Sequence, residues 1–210
     1  MGVRTPVLDL FRPSVHAFSR FYFRLDLHGI GNVPLHGPVL ITPNHQTYAD
    51  PPLISIPIRR PVHYMAWNRL FEVPLFGRLI RRLRAFPVDV DSADPRATRE
   101  AVRLLQAGEA VMIFPEAGRS LDGQVGRFKM GAFRLAVSVG APVLPVTIVG
   151  GHEAWPPGRL LPRRAQITIT YHALERPDPS LEPREAARQL AARTQQAIVN
   201  ALERQCGRSA

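Results

Sequence analysis

Apolar positions along this chain follow two rhythms. Short apolar runs bounded by glycine, proline or polar residues occupy 37–43 (GPVLITP), 62–67 (VHYMAW), 85–90 (AFPVDV), 110–114 (AVMIF), 143–149 (VLPVTIV) and 165–172 (AQITITYH). Runs of this length predict buried strands. Between them the period lengthens. A helix is predicted near Asp50-Pro51, with Asp50 as a candidate N-cap and Pro51 in the first turn. The second half of 69–83 reads as helix. Leu75, Leu79 and Leu83 share one face there, Phe76 and Ile80 lie beside it, and Arg78, Arg81, Arg82 and Arg84 crowd the rest. Asp94-Pro95 opens a helix that Gly108 closes, and 131–140 forms a shorter one. Residues 183–204 form an amphipathic helix with Leu190, Ala197, Ile198, Ala201 and Leu202 on its apolar side. Strands alternating with helices predict an α/β domain, a single largely buried sheet flanked by helices.

The first segment breaks this rhythm. Residues 8–25 place Phe11, Phe18, Phe21, Tyr22 and Phe23 among Arg12, Arg20 and Arg24. Aromatics interleaved with arginines suit a helix lying in a membrane interface. They equally suit a helix that packs its aromatics on the domain, and Pro13 is expected to interrupt the pattern.

Composition narrows the class. At 210 residues with 45% hydrophobic and 21% charged residues, the chain suits one globular domain and excludes disorder as its main state. A lone cysteine, Cys206, excludes an intrachain disulfide scaffold and a cysteine-rich zinc site; it reads as an incidental thiol on the last helix. The net charge is +10, and Lys129 is the single lysine among the 27 basic residues. Arginine in that excess suits phosphate or an anionic surface, whether nucleic acid, anionic membrane or phosphorylated cofactor. No stretch of 18 apolar residues is present, so no spanning helix is expected. No secretory signal pattern opens the chain, and a cytoplasmic protein is expected.

Candidate chemistry sits in two loops, each after a predicted strand. His45 and Asp50 are separated by Gln-Thr-Tyr-Ala. On a continuous helix they would not share a face, but a loop entering a helix can bring Asp50 back to the imidazole. The carboxylate would then hold one ring nitrogen and leave the other as a general base. Two satisfied polar residues at a helix start are the plainer alternative. The second loop, Phe114-Pro115-Glu116-Ala117-Gly118-Arg119-Ser120, offers an arginine able to grip phosphate and turn amides able to face an anion; a structural Glu–Arg pair is the alternative. Both loops can face one crevice at the carboxyl ends of the strands. The histidines at 16, 28, 36, 63, 152 and 172 show no metal-ligand spacing, so no metal is expected. No nucleic-acid motif is present, and no nucleic-acid partner is expected.

The ordered set is more specific than its parts. Asn44-His45 with Asp50, then Phe-Pro-Glu at 114–116 with Arg119-Ser120, Phe128-Lys129 with Gly131-Ala132, and Pro142-Val143-Leu144-Pro145-Val146 resembles the phospholipid/glycerol acyltransferase superfamily, in particular the lysophosphatidic acid (1-acylglycerol-3-phosphate) acyltransferases. The resemblance covers about 28–150. It implies a glycerol-phosphate-acyltransferase-like fold. It also implies transfer of a fatty acyl group from acyl-CoA or acyl-carrier protein to a lysophospholipid hydroxyl, without a cofactor and without an acyl-enzyme. In that frame His45 is the base and Asp50 its orienter. Glu116, Gly118 and Arg119 bind the acceptor, Arg84 and Lys129 are candidate phosphate contacts, and Pro145 belongs to the donor block. The chain would divide into a membrane-associating segment at 1–27 and an acyltransferase domain at 28–210, with its motif-bearing core at about 36–150. It would lie peripherally on the cytoplasmic face of the cell membrane, against anionic lipid.

Two departures from the family pattern qualify the acceptor. The usual Gly-Thr is Ala117-Gly118 here, so the turn's glycine is shifted by one place. The usual Gly-x-x-x-x-x-Arg block aligns as Arg84 to Val90, and valine cannot bind phosphate. Either Arg81, Arg82 or Arg84 takes over, or the acceptor is another lysophospholipid or a lyso-aminolipid, with Asp89 and Asp91 tolerating a cationic group. A basic membrane-binding module without catalysis is the reading from another class.

Overall fold

The computed structural model describes residues 6–90, 92 and 94–206, the side chains of 6–11 and 206 excepted. Asp91, and the part of the N-terminal segment before residue 6, lie outside the described residues. So does the Phe11 side chain.

The chain begins with α1 (Pro6–Tyr22), which continues across Pro13 as one helix rather than breaking there. Its far end is anchored: Ser19 and Phe23 are buried, and the Tyr22 hydroxyl donates to the Pro162 carbonyl at 3.0 Å. Such tertiary anchoring offsets the hydrogen bond that a mid-helix proline removes. There follow β1 (Asp26–His28), β2 (Val39–Pro43), α2 (Asp50–Ser55), β3 (Val62–Trp67), α3 (Pro74–Arg82), β4 (Ala85–Val88), α4 (Pro95–Gln106), β5 (Ala110–Met112), α5 (Gly131–Val139), β6 (Val143–Val149), α6 (Gly151–Ala154), β7 (Thr168–Tyr171) and α7 (Pro183–Cys206). A 3-10 turn at Asn68–Phe71 precedes α3. The strand β1 lacks an apolar run and escapes pattern reading. It also crosses the expected boundary between residues 27 and 28, so the end of the N-terminal segment is part of the sheet.

The seven strands form one sheet in the order β1-β7-β6-β2-β5-β3-β4. Strands β6, β2, β5, β3 and β4 are parallel, β7 is antiparallel to β6, and β1 is parallel to β7. Alternation along the strands feeds two cores. Val39 and Ile41 of β2 join Leu53, Ile54 and Ile80 on one face, with Phe23 and Leu25. Leu40 joins Ala101, Leu104, Phe133, Leu190 and Ile198 of α4, α5 and α7 on the other. The result is a helix–sheet–helix sandwich, as the pattern predicts.

Helix α3 departs from expectation. Its apolar face is turned outward: Leu75 is 81% exposed, and Phe76 and Leu79 are exposed too, while Gly77 and Ile80 are its buried residues. Gly77 sets this orientation. A Cβ there would lie 2.4 Å from the Phe71 carbonyl oxygen, so the glycine side is the one that can approach the preceding turn.

Because β7 and β1 run against the other strands, they begin where the others end. One edge of the sheet therefore gathers the carboxyl ends of five strands, the α6–β7 loop and the end of α1. Both motif loops lie on that edge.

Candidate active site

The site is built where β2 stops. Asn44 extends its pairing with β6 by side chain: its Oδ1 accepts from the Ile148 N–H at 2.7 Å and its Nδ2 donates to the Ile148 carbonyl at 3.0 Å. This fixes the direction in which the chain leaves the sheet. Residues 45–50 then curl back on a single carboxylate. Asp50 Oδ2 accepts from His45 Nδ1 at 2.8 Å, from the Gln46 N–H at 2.6 Å and from the Thr47 N–H at 2.8 Å; Oδ1 accepts from the Thr47 hydroxyl at 2.8 Å. Asp50 is fully buried as the first residue of α2. It is therefore not the N-cap expected from sequence. Its side chain faces backward to the loop donors, and Pro51 and Pro52, which follow it, have no N–H to offer.

An ionised carboxylate only accepts hydrogen bonds, so Asp50 holds the proton on Nδ1 and leaves the lone pair on Nε2. The ring lies on Phe114, with centroids 3.9 Å apart and planes 26° apart, and the His45 side chain is 17% exposed. Burial on one side and a fixed partner on the other lock the ring with Nε2 turned to the opening.

The second loop is tied to the first by backbone. Strands β2 and β5 are neighbours, so Glu116 arrives beside His45. Its Oε1 accepts from the His45 N–H at 2.8 Å and its Oε2 from the Gly126 N–H at 2.7 Å. The Ser120 N–H donates to the His45 carbonyl at 2.8 Å. Burial pushes the Glu116 carboxyl above the usual carboxylate range, and the Gly126 and His45 amides work in the other direction. Gln46 joins further loops, donating to the Gly123 carbonyl at 3.3 Å and accepting from the His152 N–H at 3.2 Å.

The remaining sequence candidates separate. Arg119 lies at the mouth with its guanidinium over the Tyr48 ring, 3.6 Å from its centroid. Gly118 is exposed, and a Cβ there would meet nothing within 4 Å; Ala117 is the residue with left-handed backbone, φ 57°. The turn thus forms with alanine in the position that favours glycine. Lys129 is exposed, and its N–H donates to the Pro115 carbonyl at 2.8 Å.

Two of the candidates lie apart from this cluster. Pro145 is buried within β6 opposite Thr42. Arg84 precedes β4 at the amino end of the sheet, level with His63, Val111 and Leu40, and its guanidinium lies 3.2 Å from His63 Nε2. It is remote from His45 because α3 returns the chain to the far edge before β4 starts. Val90 does follow β4 on the site's edge and is partly exposed. Tyr48, Phe114 and Gln46 take part without having been singled out for it. Tyr48 and Gln46 lie between His45 and Asp50, and Phe114 ends a predicted strand, so motif reading passed over them. Among the described residues, no group of three or more His, Cys, Asp or Glu side chains gathers as a metal site.

Comparison with known proteins shows the family. The profile of the Acyltransferase family matches residues 24–149, and the chain belongs to that family. The chloroplast 1-acyl-sn-glycerol-3-phosphate acyltransferase LPAT1 of Arabidopsis thaliana is 28% identical over 175 residues, 75% of this chain and 48% of that protein. A 1-acyl-sn-glycerol-3-phosphate acyltransferase of Pseudomonas aeruginosa is 31% identical over 138 residues, 63% of this chain and 52% of that one. The chain spans about half the length of the curated relatives it matches. The crystal structure of the 1-acyl-sn-glycerophosphate (LPA) acyltransferase PlsC from Thermotoga maritima superposes with a TM-score of 0.75 at 25% identity, covering 96% of this chain and 83% of that one.

Proposed function

We propose that this chain transfers a fatty acyl group from acyl-CoA or acyl-carrier protein to the free hydroxyl of a lysophospholipid, 1-acylglycerol-3-phosphate foremost. The observation that carries the reading is the His45–Asp50 pair, one ring nitrogen held by a buried carboxylate and the other turned to the opening. In this reading Nε2 takes the proton of the acceptor hydroxyl as its oxygen attacks the thioester carbonyl. The tetrahedral intermediate collapses, the carbon–sulfur bond breaks, and the departing sulfur recovers the proton from the imidazolium. No enzyme nucleophile is required, and such general-base help supplies ~10²–10⁴-fold. Glu116 acts by holding the His45 backbone, and Arg119 is the cation at the mouth available for an acceptor phosphate.

The named relatives support the lysophosphatidic acid acceptor. Val90 in place of an arginine favours a second reading, the same chemistry on another lysophospholipid or a lyso-aminolipid. The protein works from a peripheral position on an anionic membrane; among the described residues no helix is long and apolar enough to cross one.

The test is transfer of labelled acyl groups from both donors to lysophosphatidic acid, other lysophospholipids and a lyso-aminolipid, beside His45→Ala and Asp50→Asn. Transfer that falls by ~10²–10⁴-fold in both folded variants is expected. Absence of transfer to every acceptor, or a His45→Ala variant as active as the parent, overturns the reading.

A further inference from the structure

The loop between α6 and β7 is built differently from the other connections. Residues 155–164 read Trp-Pro-Pro-Gly-Arg-Leu-Leu-Pro-Arg-Arg, with no acidic residue. Leu160 is 87% exposed and Leu161 70%. Scattered exposed leucines need no explanation; two adjacent ones on a braced loop do. The brace is plain. The Arg163 N–H closes the loop onto the Ala154 carbonyl at 2.8 Å, and the Trp155 indole donates to the Arg159 carbonyl at 2.8 Å. Arg159 Nε donates to the Leu161 carbonyl at 3.0 Å, and Arg163 Nε to the Glu153 carbonyl. Pro156, Pro157 and Pro162 restrict the backbone further. The leucines are thus held out in water by a prearranged frame.

The loop is also joined to α1. Tyr22 donates to the Pro162 carbonyl, and the Arg164 guanidinium lies over the Phe21 ring, 5.1 Å from its centroid. Phe21 is 73% exposed, and Phe18 beside it is exposed as well. Leu160 and Leu161 thus form the exposed tip of a loop joined to α1, whose Phe18 and Phe21 are exposed as well, and Arg159, Arg163 and Arg164 are exposed on the same loop. That tip lies on the edge of the sheet that carries His45.

We propose that the α6–β7 loop is a bilayer-inserting element: Leu160 and Leu161 enter the interface of an anionic membrane beside Phe18 and Phe21, while Arg159, Arg163 and Arg164 meet lipid phosphates. This rests on the peripheral-membrane reading above and adds a second anchor to α1. The charge pattern selects the occupant. Apolar tips rimmed by guanidinium groups match the acyl–headgroup boundary of anionic lipid, where apolar burial and phosphate attraction act together. Because the loop is braced, insertion orders little additional chain. Two anchors on the catalytic edge would hold the mouth against the lipid that carries the acceptor.

The test uses the full chain and sedimentation with vesicles of phosphatidylcholine, with and without phosphatidylglycerol. Leu160→Ser/Leu161→Ser is expected to weaken partition into phosphatidylglycerol vesicles by about tenfold or more, with an unchanged melting curve. Its acyl transfer to detergent-dispersed acceptor is expected to match the parent. The two tryptophans are Trp67 and Trp155, so Trp67→Phe leaves Trp155 as a reporter at the loop base; its emission is expected to shift blue on anionic vesicles and to be quenched by brominated lipid. A double variant that partitions like the parent overturns the proposal. So does a parent that binds no vesicles, or a double substitution that changes the oligomeric state in solution and not vesicle binding. Retained vesicle results with no transfer to any acceptor sink the acyltransferase reading and leave the membrane element standing.

Discussion

Ala117 carries a φ of 57° in the turn that presents Arg119. Left-handed backbone costs a non-glycine residue roughly 1–2 kcal/mol, more than the about 0.4–1 kcal/mol of chain entropy that alanine saves over glycine. Ala117→Gly is therefore expected to stabilise the protein by up to about 1 kcal/mol, a rise of about 2–4 °C in Tm by thermal melt. Gly118→Ala is expected to be tolerated, since nothing stands where its Cβ would go. Tyr48 has a different office. Its ring supports the Arg119 guanidinium, a contact worth about 0.5–1 kcal/mol at an exposed position. Tyr48→Leu is expected to raise the acceptor KM about two- to fivefold with kcat unchanged, and Tyr48→Phe to restore it; a fall in kcat alone would assign Tyr48 another task. At this scale the sequence was legible by residue type and order: His45, Asp50, Glu116 and Arg119 stand in a recognisable series. Their bonds were not. That Asp50 collects four donors and Glu116 clamps two backbone amides depends on loop paths that no spacing encodes.

Most elements were visible as periods, and strand β6 begins and ends where its apolar run does. The misreadings share a cause, namely that packing decides what pattern leaves open. Helix α3 has an apolar face, but Gly77 against Phe71 turns that face to solvent. Strand β1 is three residues long and held by its partner, not by its own composition. Arg60 shows the same principle at the opposite end of the sheet from the site. Its side chain is nearly buried and donates to the carbonyls of Pro34 at 3.0 Å, Gly37 at 2.7 Å and Gly108 at 2.6 Å. One guanidinium thereby joins the approach to β2 to the turn that closes α4. Burial lowers its pKa, with Glu109 opposing. Arg60→Met is expected to cost about 3 kcal/mol in urea unfolding, because three carbonyls lose their donor together. Acyl transfer per folded molecule should be unaffected.

For the molecule as a whole, the strand order was the least legible feature. Local pattern says that strands exist and alternate with helices; it does not say that β7 turns against β6 and brings β1 with it. That reversal places the end of α1 and the α6–β7 loop on the catalytic edge. Two half-buried imidazoles give the assembled sheet a pH dependence. His63 on β3 is held below its ordinary pKa by burial and by Arg84, and His172 after β7 by burial and by Arg204. A histidine depressed in the folded state binds fewer protons there than in the unfolded chain. Stability is therefore full above about pH 6.5 and falls as the pH drops through the folded values. Urea midpoints measured between neutral and mildly acidic pH should decline, and His63→Gln with His172→Gln should flatten the slope; an unchanged slope would place it elsewhere.

The bond from Asn44 to Ile148 spans 104 positions along the chain. Synthesis runs from the amino end, so the ribosome makes His45 early and the strand that seats its loop much later. Until β6 emerges, the exit of the chain from β2 that aims His45 is not fixed, and contacts of such separation close late. The frame that holds the His45 loop is therefore complete only when most of the chain has been made.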